Sequence, residues 1–179
     1  EYDGAEFCGW QSQADGRAVQ DALQHAIASF CGETVTVYGA GRTDSGVHAR
    51  GQVAHIDLDT AAQPDRVRDG INFHLRPSPV AVRAAHYARA DFDARFSALA
   101  RYYRYRIISQ RAPVVLARDQ AWWVPQPLDV AAMREASQYL LGKHDFSTFR
   151  ASQCQANSPV RTLDVLDVLG GDEGIDIVA

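Results

Sequence analysis

Lysine is almost missing from this chain of 179 residues: among 18 basic side chains only Lys143 is a lysine, and the rest are arginines. Arginine suits planar, bidentate contacts to phosphate and stacking on bases, so the bias is compatible with a nucleic-acid partner. Cysteine is scarce too. Cys8, Cys31 and Cys154 are odd in number, far apart and without a C-x-x-C pair, which argues against a disulfide framework or a zinc site and leaves three ordinary thiols. No apolar run approaches the roughly 20 residues a membrane helix needs, so a soluble, cytoplasmic protein with no membrane partner is expected. There is no G-x-S-x-G elbow, no G-x-x-x-x-G-K phosphate loop and no H-x-E with P-C-x-x-C deaminase pattern. ATP-dependent and zinc-dependent reactions are therefore disfavoured. The six histidines form no recognisable metal pattern, and none is assigned as a ligand.

What is present fits one globular domain or two small halves packed together, with 46% hydrophobic and 22% charged residues, enough to bury a sizeable core. The net charge of -4 conceals an uneven distribution. Between residues 83 and 118 eight arginines face only Asp91 and Asp93, a local +6 that leaves -10 for the remainder. Aromatic residues are interleaved with these arginines, which favours a nucleic-acid partner over a merely solvated surface.

Residues 39 to 48 place Arg42 and Asp44 on a glycine-rich turn after the strand-like run Val35-Thr36-Val37-Tyr38. Gly39, Gly41 and Gly46 are expected to use backbone angles other residues avoid. A short loop on a rigid strand can hold a carboxylate in a fixed place, although Asp and Gly are also ordinary turn formers.

Along the chain, a strand at 1 to 7 precedes a helix over residues 18 to 30 with Val19, Leu23, Ala26, Ile27 and Phe30 on one face and Gly32 as its stop. Strands at 34 to 39 and 52 to 58 flank the turn, a second helix runs from Pro64 to His74 despite Gly70, and a strand at 80 to 87 closes the half. This order matches the ferredoxin-like βαββαβ unit of many RNA-binding sheets. A second pass begins once the first half, residues 1 to 90, has closed. Its strand is Tyr102 to Ile108, its helix follows Asp129 and carries Val130, Met133, Ser137, Leu140 and Leu141, and alternating segments at 160 to 169 and 174 to 179 form a hairpin through 170 to 173. The expectation is an α+β protein of two ferredoxin-like halves, 1 to 90 and 91 to 179, around a mainly antiparallel sheet, the second half incomplete by a helix and a strand. A chain ending inside a strand is expected to be a C-terminally truncated fragment with an exposed sheet edge prone to aggregation.

Three clusters can carry chemistry: Arg42 with Asp44, the stripe Arg101-Tyr102-Tyr103-Arg104-Tyr105-Arg106, and Lys143 to Arg150. On a strand Tyr103 and Tyr105 share one face and Tyr102, Arg104 and Arg106 the other. Tyrosines can stack an unpaired base and arginines can meet phosphates. Strand tyrosines are more often core residues with satisfied hydroxyls.

The run Gly41-Arg42-Thr43-Asp44-Ser45-Gly46-Val47-His48 closely resembles the G-R-T-D-x-G-V-H signature of the tRNA pseudouridine synthase A (TruA) family. The likeness extends to Tyr2-Asp3-Gly4, Gly9-Trp10-Gln11, Gly51-Gln52-Val53, Asp93-Ala94-Arg95-Phe96-Ser97-Ala98, Arg101-x-Tyr103-x-Tyr105 and Asp145-Phe146-Ser147 to Phe149-Arg150, essentially the whole chain. The resemblance implies the pseudouridine synthase fold and isomerisation of uridine to pseudouridine in the anticodon stem-loop of tRNA, at positions 38, 39 and 40, without metal or organic cofactor. It makes Asp44 the essential aspartate, Tyr103 the tyrosine against the target base, and Arg42 the arginine that helps extrude the nucleotide. Tyr105, Arg101 and Arg104 join them as substrate-binding residues, and the protein is expected to be a homodimer. The family's further basic residue, which pairs with the aspartate, has no match here, so a weakly active or inactive piece is expected. Two rivals remain: a non-catalytic RNA-binding ferredoxin-like module, which has little use for an acidic residue aimed at a polyanion, and an aspartate-dependent hydrolase of small nucleotides, which would not need the arginine stretch.

Overall fold

The computed structural model describes residues 1–14, 16–150 and 158–179. They form an α+β protein in two compact units, Glu1–Leu99 and Ala100–Ala179. Cys154 lies outside the described residues, while Cys8 and Cys31 are half-buried cysteines.

In the first unit, helix α1 spans Val19–Cys31 and α2 spans Pro64–Leu75. The apolar periodicity of α1 has the expected result: Val19, Ala26 and Ile27 are buried and Leu23 packs against them. Its start is fixed by the Asp21 carboxylate, which accepts the Ala18 amide at 3.1 Å, and its end by the Gly32 amide on the Ala28 carbonyl. Pro64 stands in the first turn of α2, where its missing N–H costs nothing. Gly70, a weak helix former, is present for a packing reason. A Cβ there would lie 2.1 Å from the Phe30 ring of α1.

The extended segments of this unit are less sheet-like than their residue pattern predicts. Strand β1 (Tyr38–Gly39) pairs antiparallel with β2 (Ala54–His55), and Tyr2 makes isolated bridges to Ala49 and Val80. Side chains take the place of ladder partners. Asn72 both donates to the Val82 carbonyl and accepts its amide, Gln20 and Gln24 serve the two backbone groups of Val37, and Glu33 accepts the amides of Asp59 and Thr60. Every backbone polar group needs a partner, and here long polar side chains from the helices supply many of them. The buried core gathers Tyr2, Trp10, Val37, Ile71, Leu75 and Val80 around α1.

The second unit holds a four-stranded sheet in the order β4-β3-β8-β7, from β3 (Arg104–Ser109), β4 (Trp122–Val124), β7 (Asp167–Gly171) and β8 (Gly174–Val178). Strand β8 is antiparallel to both β3 and β7, and β4 runs parallel to β3. Helix α3 (Val130–Gln138) opens with the Asp129 carboxylate accepting the Ala132 amide at 3.0 Å, as the sequence leads one to expect. Its Val130 and Met133 pack on Ile107, Val168 and Ile175, and the Arg134 guanidinium donates twice to the Val168 carbonyl.

Several expectations are corrected here. The helix ends at Gln138, so Leu140 and Leu141 lie beyond it. The single segment expected at 160 to 169 is two strands, β6 (Val160–Leu163) and β7, in different sheets. Strand β6 pairs with β5 (Gly142–Asp145), a polar stretch with no strand pattern in the sequence. The three-residue β4 is too short for alternation to show, and its parallel partnership with β3 needs the 12 residues between Ser109 and Trp122.

Candidate active site

The glycine-rich turn is not a free loop, because residues 2 to 10 lie along it. Tyr2 exchanges backbone hydrogen bonds with Ala49 (2.9 and 3.1 Å), the Trp10 amide donates to the Thr43 carbonyl (2.9 Å), and the Gly46 amide donates to the Phe7 carbonyl (3.4 Å). Side chains complete the clamp: Tyr2 Oη meets Thr43 Oγ1 at 2.9 Å, and Ser45 Oγ donates to the Phe7 carbonyl at 3.2 Å. From the far side Gln52 Nε2 donates to the Gly41 carbonyl at 2.8 Å.

Two glycines make this approach possible. A Cβ on Gly4 would stand 2.1 Å from the Val47 carbonyl oxygen, and one on Gly9, whose φ is +102°, would stand 2.6 Å from that of Thr43. The reason for Gly39 differs from the one expected. Its backbone is not left-handed; instead the Trp10 indole occupies the place of a side chain, 2.6 Å from the position of a Cβ.

Asp44 sits between these fixed neighbours. Its carbonyl accepts the Val47 amide at 3.2 Å, closing the turn, while its side chain is exposed and accepts no hydrogen bond or ion pair among the described residues. Arg42, two positions earlier, is also exposed and makes its own contact. At the end of the turn, His48 Nδ1 lies 3.1 Å from the Gly4 amide and 2.9 Å from Asp3 Oδ1. A ring nitrogen accepting from Gly4 belongs to a neutral imidazole, and one donating to Asp3 carries the proton. Short segments such as Tyr2-Asp3-Gly4 and Gly9-Trp10 are the trace that these supporting contacts leave in the chain.

In the second unit Tyr103, Tyr105 and Ile107 share a face of β3 and its upstream extension. Helix α3 covers the Ile107 end. Tyr103 and Tyr105 are 57% and 55% exposed, so they are surface rings and not core residues. Tyr103 continues the pairing with Ala179 through hydrogen bonds of 2.7 and 2.9 Å, and Tyr105 meets Trp122 edge-on at 6.5 Å.

The opposite face is cationic but occupied. Arg104 Nη2 lies 2.5 Å from Asp176 Oδ2 and Arg106 Nε 3.1 Å from Oδ1 of the same carboxylate, with Glu173 at 3.5 Å from Arg106. The Arg104 guanidinium, hydrogen-bonded to Asp176, holds that carboxyl below its usual range. Arg101 is exposed upstream of the strand. Elsewhere in the arginine-rich stretch Arg83, Arg89 and Arg118 each have an acidic neighbour, Glu1, Asp91 and Asp119. Such exposed pairs are weak, so a phosphate can compete for these guanidiniums.

The remaining carboxylates of the recognised segments have structural work. Asp93 accepts the amides of Arg95 and Phe96, and Asp145 accepts the hydroxyl and amide of Ser147. Both are held below the usual carboxylate range, Asp93 chiefly by the Phe96 amide and Asp145 by the Ser147 hydroxyl. Two further histidines likewise have local partners: His55 Nδ1 accepts the Ala94 amide and its ring stacks on Tyr38 at 4.9 Å, and His144 Nε2 lies 2.6 Å from the Leu141 carbonyl. No helix among the described residues is long and apolar enough to cross a membrane.

The profile of a family described as tRNA pseudouridine synthase matches residues 1–97 and 136–178. Arg42 and Asp44 fall inside the first span, and Arg101, Tyr103, Arg104 and Tyr105 fall between the two. Similar proteins align over the whole chain. A tRNA pseudouridine synthase A from Methylobacterium sp. (strain 4-46) is 61% identical over 174 residues, 97% of this chain and 70% of the relative. Those of Paramagnetospirillum magneticum and Rhodopseudomonas palustris (strain HaA2) are 56% and 54% identical over 100% and 99% of the chain, covering 70% and 73% of their own lengths.

Proposed function

The chain belongs to the tRNA pseudouridine synthase family, and from that premise we propose that it is an isomerase converting uridine to pseudouridine in tRNA, with Asp44 as its essential catalytic group. The observation that carries the role of Asp44 is the contrast between its side chain and its neighbours. Everything flanking it is hydrogen-bonded into the first unit, while the carboxylate itself is exposed and unpartnered among the described residues. A carboxylate held only for structure would cap an amide, as Asp93 and Asp145 do.

The reaction breaks the bond from the ribose C1′ to N1 of uracil, turns the base, and joins C1′ to C5; the C5 proton leaves and N1 gains one. No electrons are exchanged with a second molecule. Asp44 supplies a negative oxygen as nucleophile or base. The target nucleotide must leave its stack at a cost of a few kcal/mol, which stacking on Tyr103 and insertion of Arg42 offset. Tyr105, Arg101 and Arg104 complete the RNA contacts, Arg104 by exchanging its Asp176 partner for phosphate.

The finer reading places the modified uridines at positions 38, 39 and 40 of the anticodon stem-loop. It makes the protein a cytoplasmic homodimer built from two ferredoxin-like halves. The exposed tyrosines and the arginines between residues 83 and 118 support an RNA substrate. Release of tritium from tRNA labelled at uridine C5 tests the function. The natively expressed protein is expected to release it and Asp44→Ala to bind tRNA without release; turnover by Asp44→Ala would overturn the assignment.

A further inference from the structure

We propose that Tyr2 is a positioning residue for Asp44, acting through the hydroxyl of Thr43. The proposal rests on the reading of Asp44 as the catalytic group. Tyr2 is only 5% exposed, its backbone is bridged to Ala49, and its ring lies beside Trp10 at a centroid distance of 6.1 Å, so its hydroxyl is carried on a rigid support. That hydroxyl meets Thr43 Oγ1 at 2.9 Å.

Thr43 immediately precedes Asp44, and its carbonyl and its hydroxyl are both taken by the same N-terminal segment. Trp10 holds the carbonyl and Tyr2 holds the hydroxyl. On the other side of Asp44 the Ser45 hydroxyl is fixed to Phe7. The carboxylate has no hydrogen bond of its own to orient it among the described residues, so its direction is set by the two residues flanking it. Of the two side-chain anchors, the Tyr2–Thr43 pair is part-buried and the Ser45–Phe7 pair exposed, so water replaces a lost partner less readily at Tyr2. A carboxylate displaced by a fraction of an ångström keeps its charge and its exposure but loses alignment with the reacting atom, which reduces kcat and leaves substrate binding nearly intact.

A buried tyrosine that merely satisfies its hydroxyl would make a different prediction, and the experiment separates the two. Tyr2→Phe, Thr43→Val, Thr43→Ser, Tyr2→Phe with Thr43→Val, and Asp44→Ala are prepared in the natively expressed protein. Steady-state tritium release and thermal unfolding are measured for each. Tyr2→Phe is expected to lower kcat about tenfold with KM for tRNA within about twofold. Thr43→Val should match it, Thr43→Ser should keep most of the wild-type kcat, and the double variant should be no worse than either single one. Wild-type kcat in Tyr2→Phe, a loss appearing in KM instead, or independent, multiplying losses in the double variant would overturn the proposal. Turnover by Asp44→Ala would instead remove the reading on which it rests. An inactive Asp44→Ala beside a fully active Tyr2→Phe defeats the positioning role alone.

Discussion

The turn at residues 39 to 48 and the strand β3 are both polar surface features, yet they spend their hydrogen bonds in opposite ways. On the turn, the neighbours of the charged residue are consumed by structure and the Asp44 carboxylate is left open. On β3, the charged residues Arg104 and Arg106 are consumed by Asp176 and the aromatic rings Tyr103 and Tyr105 are left open. Charge in a sequence therefore does not mark what is available to a ligand. A carboxylate without a local partner can act on a substrate, whereas a paired guanidinium must first exchange one anion for another.

The contrast is tested most severely by Asp44→Asn, which keeps shape and removes charge. Turnover should fall by about 10³-fold or more, while the melting temperature stays unchanged because the carboxylate makes no hydrogen bond or ion pair among the described residues. A large loss of stability would show that Asp44 is structural after all. Next in size is Tyr103→Ala. Removing one stacking ring should weaken tRNA binding by roughly 5- to 100-fold, read by titration at fixed salt, with little change in melting temperature. A strongly destabilised variant would return Tyr103 to the core reading.

Gly4→Ala tests the clamp on the turn. The added methyl meets the Val47 carbonyl, a backbone atom that cannot swing away, so a destabilisation of about 1–3 kcal/mol is expected from denaturant titration. An unchanged midpoint would mean that the N-terminal segment is not held against the turn. The smallest effect belongs to Asp176→Asn, which leaves two arginines facing each other and should lower the melting temperature by roughly 2–4 °C near pH 7. The folded-state pKa of Asp176 is depressed, so the stabilisation is complete above the unfolded-state value of about 3.9 and is lost as pH falls through the lower folded value. The gap between wild type and variant should thus persist from pH 7 to about pH 4 and close below it. A gap that closed well above pH 4 would contradict the pairing.

Residue periodicity made much of the scaffold legible. The apolar face of α1, Pro64 at the start of α2, Asp129 as a cap and the hairpin through 170 to 173 are local patterns, set by neighbours within a turn or two of backbone. The first unit's strands are shorter than alternation predicts, because alternation shows which residues can lie in a sheet, not whether another strand or a glutamine or asparagine side chain will meet their amides. Strands β4 and β5 show no strand pattern for the converse reason. Three residues, or four exposed polar ones, carry no alternating pattern, and only the partner strand makes them regular.

The candidate site divides along the same line. Its chemistry was visible in the chain alone: a carboxylate and an arginine on a glycine-rich turn, and alternating tyrosines and arginines on a strand, are types and spacings that sequence states directly. What only the tertiary structure decided is which of those groups are free. Tyr2 and Thr43 are 41 residues apart, and Arg104 and Asp176 are 72 apart. Hydrogen bonds between such positions depend on how the chain returns upon itself, and they leave Asp44 and the tyrosines open while closing the arginines beside them.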